Sequence, residues 1–161
     1  MRAIAIARSP YKERFGAPRQ ANVTSETRDA TLADGSIELL PDIPIETLRS
    51  LEGFDRVWAL YVFHLNLDDE RPLRWPTLVR PPRDPERQHG LFATRAPHRP
   101  SPIGLSALAI TRIEGRTIHV RGIDLLDGTP VIDLKPYVPY CDAFPDAKAG
   151  WVDDAEARGK T

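Results

Sequence analysis

Sixteen prolines spread along 161 residues are the feature that most restricts how this chain folds. Proline fixes φ and lacks a backbone N–H, so it interrupts helices and inner strands. The apolar stretches are short, and strands do not alternate with helices of the length that a Rossmann fold needs. The sequence therefore predicts a mainly β, single-domain protein: an antiparallel β-barrel or strongly bent sheet with one short helix and long proline-rich loops.

Two stretches predict individual elements. "RVWALYVF" (56–63) is almost continuously apolar and rich in aromatic and branched residues, which indicates a strand buried on both faces. "PIETLRSLEGF" (44–54) predicts the one short helix, because Pro44 suits its first position and Gly53 suits its end. We expect the barrel domain to span residues 1–150 and the tail, 151–161, to be weakly structured.

Composition argues against several classes of protein. Cys141 is the single cysteine, which excludes an internal disulfide framework and a multi-cysteine zinc site. The histidines are scattered and no G-x-G fingerprint occurs, so neither a metal site nor a dinucleotide site is expected. No apolar run reaches membrane-spanning length, and the first residues lack the apolar core of a signal peptide. We expect a cytoplasmic protein without metal or membrane partners.

Charge is unevenly distributed along a chain whose formal net charge is −1. The segment from Arg71 to Arg99 carries a net charge of +5, with seven arginines against Asp84 and Glu86. A local basic surface on a neutral body is suited to holding a polyanion at one place. The arginines of this segment are Arg71, Arg74, Arg80, Arg83, Arg87, Arg95 and Arg99.

The stretch "GLFATRAPHRPSPIGLSALAI" (90–110) combines that charge with rigidity. Pro97, Pro100 and Pro102 restrict the backbone, so the loop loses little entropy when it binds a ligand. Arg95 and Arg99 would then present planar donors to a phosphate, a carboxylate or a nucleobase. The alternative is a proline-rich connection with solvated arginines, and composition alone does not decide between the two.

Acidic residues form a second cluster in "GIDLLDGTPVIDLKPYVPY" (122–140). Asp124 and Asp133 fall in expected strands, where a carboxylate is poorly placed unless it is paired or functional. Asp127 precedes Gly128, and on these residues alone a role in the turn is the favoured explanation. Lys135 has the simpler explanation that it neutralises Asp133.

Several long stretches resemble the TrmO family of tRNA N6-methyltransferases, in family order and over roughly residues 8–147. They are "RSPYKERFGAPRQ", "LEGFDRVWALYVFHLN", "RWPTLVRPPR", "GLFATRAPHRPSPIGLS" and "DLLDGTPVIDLKPYVPYCDAFPDA". Ser101 stands where many members have asparagine. The resemblance implies S-adenosylmethionine as methyl donor and, as substrate, tRNA whose adenosine 37 carries a threonylcarbamoyl group on N6. It also implies a homodimer with the donor site near the subunit interface.

The resemblance also assigns residues to the site. Donor-binding positions are Gln20, Ala21, Asn22, His64, Leu65, Arg95, Leu105, Arg121, Gly122, Ile123 and Asp124. For the substrate we predict that Arg99 or Lys135 pairs with the threonyl carboxylate and that Tyr137 or Tyr140 stacks on a base. The arginines between 71 and 87 would hold the tRNA backbone.

Methylation of a carbamoylated nitrogen favours a general base, because the lone pair of that nitrogen is delocalised. Asp127 is the first candidate, since a turn at a strand end can present its carboxylate to the substrate. Asp133 and His64 are weaker candidates for the same role.

Two alternatives come from other classes of protein. The first is a non-catalytic RNA-binding module that uses the basic proline-rich loop alone and has no reason to bind S-adenosylmethionine. The second is a hydrolase in which Asp124, Asp127 and Asp133 hold a divalent metal, although the lack of clustered histidines counts against it.

Overall fold

The computed structural model describes residues 1–13, 16–17, 33–66 and 75–159. Within these ranges every helix is too short or too polar to cross a membrane. The strands and α-helices, in chain order, are β1 (Ala5–Arg8), β2 (Asp34–Leu39), β3 (Arg56–Val62), β4 (Leu78–Val79), β5 (His89–Gly90), β6 (Ile103–Glu114), β7 (Thr117–Arg121), β8 (Pro130–Pro136), α1 (Pro139–Asp142) and α2 (Trp151–Gly159).

Six strands close into an antiparallel barrel in the order β1–β2–β7–β6–β3–β8, and β4 pairs with β5 in a separate small sheet. The long strand β6 pairs with β3 through its first part and with β7 through its second. Its pairing with β7 shifts register between Ile110 and Arg112, which places a bulge where the strand bends around the barrel. The predicted mainly β barrel is confirmed.

Small side chains make the narrow interior of this barrel possible. Alternate residues of each strand point inward, and Ala5, Ala7 and Ala59 share the interior with the fully buried Ile37 and Leu108. Small barrels are filled in this way by a mixture of small and large residues. Because the interior is filled by the core, a binding site on this barrel lies at one of its ends or on its outer surface.

The strand β3 is buried on one face, not on both as the apolar run predicted. Its inward residues Val57, Ala59 and Tyr61 are buried, whereas its outward residues are only half-buried. Part of the outer face is covered by α1, where the indole N–H of Trp58 donates to Asp142 Oδ2 at 3.0 Å. In a barrel each strand has one face on the core, and the other depends on what lies outside the barrel.

Two 3-10 turns, Ile45–Leu48 and Leu51–Gly53, replace the helix predicted over residues 44–54. Ser50 lies between them with a φ of 67°, in the left-handed region, where a right-handed helix cannot continue. The apolar residues of this segment recur at every third position, which is the period of a 3-10 helix. The spacing that suggested an α-helix therefore fits the tighter turn better.

Residues 151–159, expected to be weakly structured, form α2. Trp151 and Ala155 lie four residues apart and so share one helix face. The ring of Trp151 stacks on His89, and Ala155 is buried. These partners lie about sixty residues earlier in the chain, so the local sequence did not reveal them. The predicted domain boundary at residue 150 stays a prediction.

Replacing Gly104 with alanine tests the packing at the end of the barrel. A Cβ built at Gly104 overlaps the ring of Tyr61, so Gly104→Ala should lower the free energy of unfolding by about 1–3 kcal/mol. The measurement is urea denaturation at neutral pH. Gly90→Ala is the control, because a Cβ there meets nothing within 4 Å and should change stability by less than about 0.5 kcal/mol. Equal stability of the two variants would contradict the packing argument.

Candidate functional site

One end of the barrel collects the end of β3, the start of β6 and the loop that follows β7. The backbone N–H of Phe63, after β3, donates to the carbonyl of Pro102, before β6, at 2.8 Å. His64 and Leu65 continue from β3 at this same end. The proline-rich loop over 95–102 therefore lies beside the residues that leave β3.

A hydrogen-bond chain runs through this end of the barrel. Ser106 Oγ donates to Asp124 Oδ1 at 2.6 Å, and the hydroxyl of Tyr61 lies 3.2 Å from Ser106 Oγ. Because Ser106 has one hydroxyl proton and gives it to Asp124, Tyr61 is the donor to Ser106. The chain links the barrel interior, through Tyr61, to the loop after β7 that carries Asp124.

Electrostatics ties Arg95 to the same group of residues. Burial raises the pKa of Tyr61, the negative charge of Asp124 raises it further, and the hydrogen bond to Ser106 and the charge of Arg95 lower it only in part. Tyr61 therefore stays protonated and serves as a hydrogen-bond donor at physiological pH. Arg95 and Asp124, predicted from separate stretches of sequence, both act on this one phenol.

The loop after β1 and the loop after β7 are joined through Asp127. Its carboxylate accepts a hydrogen bond from the N–H of Ser9 at 3.1 Å and pairs with Lys12 Nζ at 2.8 Å. Its own N–H donates to the carbonyl of Tyr11 at 2.8 Å, and Ser9 Oγ donates to the carbonyl of Leu125. Asp127 thus holds two loops together, and it also lines an open cleft of about 600 Å³.

These contacts keep Asp127 ionised. The hydrogen bond from Lys12 and then that from the Ser9 N–H lower the pKa of its carboxyl below the ordinary value. A lower pKa makes a carboxylate a weaker proton acceptor. The geometry therefore explains a loop-holding role for Asp127 directly, while its predicted role as a general base stays a prediction.

The loop that carries Arg95 and Arg99 is stabilised from within. Thr94 Oγ1 donates to the carbonyl of Leu91 at 2.8 Å. Arg99 Nη1 donates to the carbonyls of Thr94 and Ala96 at 2.9 and 3.2 Å. Both hydrogen bonds use Nη1 of Arg99, and neither of them uses its Nε or Nη2 group.

Other predicted donor-binding residues have mixed placements. Arg121 Nε pairs with Asp34 Oδ1 at 2.9 Å on an exposed surface. The side chain of Ile123 is buried in the core, so a ligand could reach only its backbone. Gly122 has a φ of 86° and starts the turn that leads to Asp124. Leu105 lies on the outer face of β6 and is 49% exposed, on the opposite side of the strand from Ser106.

Five predicted residues lie outside the described residues: Gln20, Ala21 and Asn22 of the donor site, and Arg71 and Arg74 of the basic segment. Lys135 and Tyr137 lie near the other end of the barrel, because Lys135 pairs in register with Trp58 near the start of β3. Lys135 Nζ also pairs with Asp133 Oδ2 at 2.8 Å, the simpler explanation given above, and the Tyr137 ring lies 5.5 Å from that of Trp58. The predicted contact of these two residues with the substrate stays a prediction.

Sequence reasoning missed Tyr61 and Ser106, which connect the predicted residues. Each occupies an inward position of its strand, and a polar group at an inward position needs a partner. Applying strict alternation along β3 and β6 would have marked both. Within the described ranges, no group of three or more His, Cys, Asp or Glu side chains is placed to hold a metal ion.

The fold and the site together define a small closed β-barrel protein whose polar and charged groups meet at one end of the barrel. The family profile of the tRNA-methyltransferase O N-terminal domain matches residues 6–143. The chain belongs to this family.

Relatives and solved structures agree with that assignment. RcsF of Pseudomonas aeruginosa, named as a candidate S-adenosylmethionine-dependent methyltransferase, is 45% identical over 152 residues, 93% of this chain and 62% of its own. A protein of Escherichia coli named tRNA (adenine(37)-N6)-methyltransferase is 37% identical over 160 residues, 96% of this chain and 64% of its own. The crystal structure of TrmO from Pseudomonas aeruginosa has a TM-score of 0.69 and 39% identity, and the match covers 94% of this chain and 61% of that one. This chain thus spans somewhat less than two thirds of the length of these proteins.

Asp127→Asn should destabilise the protein in a pH-dependent way. Because the folded-state pKa of Asp127 is lowered from its ordinary 3.8, its contribution is present above that value and is lost as pH falls through the folded pKa. The melting temperature of the variant should therefore lie below wild type at pH 7 and approach it at acidic pH. Asp146→Asn, at an exposed carboxylate, is the control. A constant difference across the pH range would contradict the assignment.

Proposed function

We propose that this chain transfers a methyl group from S-adenosylmethionine to N6 of adenosine 37 in tRNA. Family membership over residues 6–143 is the observation that carries the proposal. The Escherichia coli relative is named for this reaction. As the particular substrate we propose adenosine that already bears an N6-threonylcarbamoyl group.

The residues at the barrel end fit a charged methyl donor. S-adenosylmethionine carries a carboxylate, an ammonium and a sulfonium, so its site needs side chains of both signs. Arg95 and Asp124 supply both, and both act on Tyr61. His64 and Leu65 lie at the same end and would contribute ring and apolar surface. When bound, the donor supplies an electrophilic methyl group.

The remaining donor contacts are proposed in line with their placement. Gly122 and Ile123 would contribute backbone groups, since the Ile123 side chain is committed to the core. Leu105 faces outward from β6, which suits a donor site completed by a second copy of the chain. We therefore propose a homodimer with the donor site near its interface. A tRNA substrate would place the protein in the cytoplasm.

The carbamoylated nitrogen is a poor nucleophile until its proton is removed, and a carboxylate is the natural acceptor. Asp127 is ionised and lies in the same loop as Asp124, so it is retained as the proposed base despite its lowered pKa. Asp124, held by Ser106 at 2.6 Å, is the second candidate for this role. Positioning supplies the rest, because methyl transfer requires the nitrogen to lie in line with the sulfonium methyl.

Substrate contacts are proposed on the basic side of the molecule. The two hydrogen bonds of Arg99 to its own loop use only Nη1, so we propose that its Nε and Nη2 contact the threonyl carboxylate. We propose Lys135 and Tyr137 as further contacts to the same RNA, from the part of β8 that pairs with the start of β3. Arg80 and Arg87 are exposed and would contact the tRNA backbone, while Arg83 is paired with Glu156 at 3.1 Å.

Incubation with labelled S-adenosylmethionine and tRNA tests the proposal. We expect label on N6 of adenosine 37 in tRNA that carries the threonylcarbamoyl group and none in tRNA that lacks it, as read by nucleoside analysis. Label in both RNAs would support methyl transfer to adenosine 37 and reject the requirement for the threonylcarbamoyl group.

Binding measurements and a reaction with added chelator separate the alternative functions. Binding of RNA without binding of S-adenosylmethionine would favour a non-catalytic RNA-binding module. Full methylation in the presence of a chelator would exclude the metal-dependent alternative with Asp124, Asp127 and Asp133.

Asp127→Asn and Asp124→Asn assign the base. If Asp127 accepts the proton, Asp127→Asn should lower kcat by roughly 10²–10⁴-fold and leave the Kd of the donor close to wild type. Asp124→Asn should instead weaken donor binding, measured by titration calorimetry. Wild-type kcat in Asp127→Asn, together with loss of turnover in Asp124→Asn, would move the role of base to Asp124.

A further inference from the structure

Phe92, a large apolar side chain, is exposed just before the loop that carries Arg95 and Arg99. Phe92 lies on the 3-10 turn Leu91–Ala93 and is 78% exposed, whereas its neighbour Leu91 is 3% exposed. A single exposed apolar residue is ordinary on a protein surface. The backbone that carries Phe92 is unusual, because hydrogen bonds and ring packing hold it from several directions.

Hydrogen bonds hold the turn from below and behind. The N–H of Leu91 donates to the carbonyl of Thr77 at 2.9 Å, and the N–H of Thr94 donates to the carbonyl of Leu91 at 3.1 Å. With Leu91 anchored in the protein, the chain cannot rotate to bury Phe92 without breaking these bonds. The hydrogen bonds of the turn therefore keep the Phe92 side chain exposed.

The helix α2 holds the turn from the other side. The indole N–H of Trp151 donates to the carbonyl of Ala93 at 2.8 Å. The same indole stacks on the His89 ring with centroids 4.3 Å apart and planes at 22°. Trp151 thus grips the chain on both sides of Phe92.

A buried carboxylate locks α2 in place. Asp84, 5% exposed, lies 3.0 Å from His89 Nε2 and 2.9 Å from Arg158 Nη2. Arg83 and Glu156 form a second link at 3.1 Å. The segment 83–89, which precedes Phe92, is therefore linked to α2 by several polar contacts.

The surroundings of Phe92 indicate what it binds. The guanidinium carbon of Arg99 lies 5.8 Å from the centre of the Phe92 ring. A second arginine, Arg95, lies three residues after Phe92 in the sequence. An aromatic face next to fixed cations matches a ligand that is both aromatic and anionic, which is the chemistry of a nucleotide. Proteins bind unpaired RNA bases by stacking them on exposed aromatic rings beside basic groups.

We propose that Phe92 stacks on an unpaired base of the RNA substrate near the methylated adenosine, and that Trp151 of α2 positions it. This inference rests on the proposed function. Phe92 contacts the substrate, whereas Trp151 acts through the turn.

The test compares Phe92→Ala and Phe92→Trp in the full chain with an anticodon stem-loop RNA. Phe92→Ala should raise the RNA Kd from fluorescence anisotropy, and the KM for tRNA, about tenfold, while Phe92→Trp stays close to wild type. Phe144→Ala is the matched control, since Phe144 is 71% exposed and belongs to a different segment, between α1 and α2. The Kd for S-adenosylmethionine should be unchanged in all three variants.

Three results would overturn the proposal. One is a wild-type RNA Kd in Phe92→Ala. Another is an equal loss in Phe144→Ala. The third is loss of a dimer in Phe92→Ala by light scattering, which would assign the ring to contact with a second copy. Failure of the proposed function is distinguishable, because wild-type protein would then leave tRNA unmethylated while the anisotropy comparison still reports on Phe92.

A double-mutant cycle tests the positioning role of Trp151. Trp151→Phe keeps a stacking ring but removes the N–H that reaches Ala93, so it should weaken RNA binding in a chain that is still folded. If Trp151 acts through Phe92, adding Trp151→Phe to Phe92→Ala should cause no further loss. Additive losses would show that Trp151 acts on RNA binding by another route and would remove it from the proposal.

Discussion

The packing of Tyr61 beneath Gly104 is the constraint on which the rest of the site depends. A side chain at position 104 would occupy the space of the Tyr61 ring, so a glycine in β6 lets a large aromatic close the end of the barrel. The ring fills the core with its apolar body and delivers a hydroxyl to Ser106, which in turn holds Asp124. One close approach between two strands thus converts an apolar barrel into a scaffold for an oriented carboxylate.

The loops around this end divide the remaining tasks. Asp127, Ser9 and Lys12 join the loop after β1 to the loop after β7, which fixes the backbone that follows Asp124. The proline-rich loop carries the cations, and Arg99 spends part of its guanidinium on that loop. A rigid frame of this kind lets charged groups of opposite sign stand near each other before a ligand arrives, which lowers the cost of ordering them on binding.

Much of the fold could be predicted from short patterns, and the exceptions have physical causes. Prolines and short apolar stretches indicate the barrel, and the resemblance assigns Arg95 and Asp124 to one site. The α-helix predicted over residues 44–54 is wrong, because apolar residues spaced by three fit a 3-10 helix as well and Ser50 has a left-handed φ. The structure of α2 depends on partners distant in sequence, about which a local pattern carries no information.

The grip of α2 on the 84–93 segment gives the molecule two levels of cohesion. The barrel is closed by the backbone ladders of six strands, whereas this surface unit is held by the short β4–β5 pairing, one indole, one buried carboxylate and a few ion pairs. Units of such unequal strength open with different free energies. The unit formed by α2 and residues 84–93 can accordingly open without the barrel. Its amide protons would then exchange with water while those in the ladder of β3 and β6 stay protected.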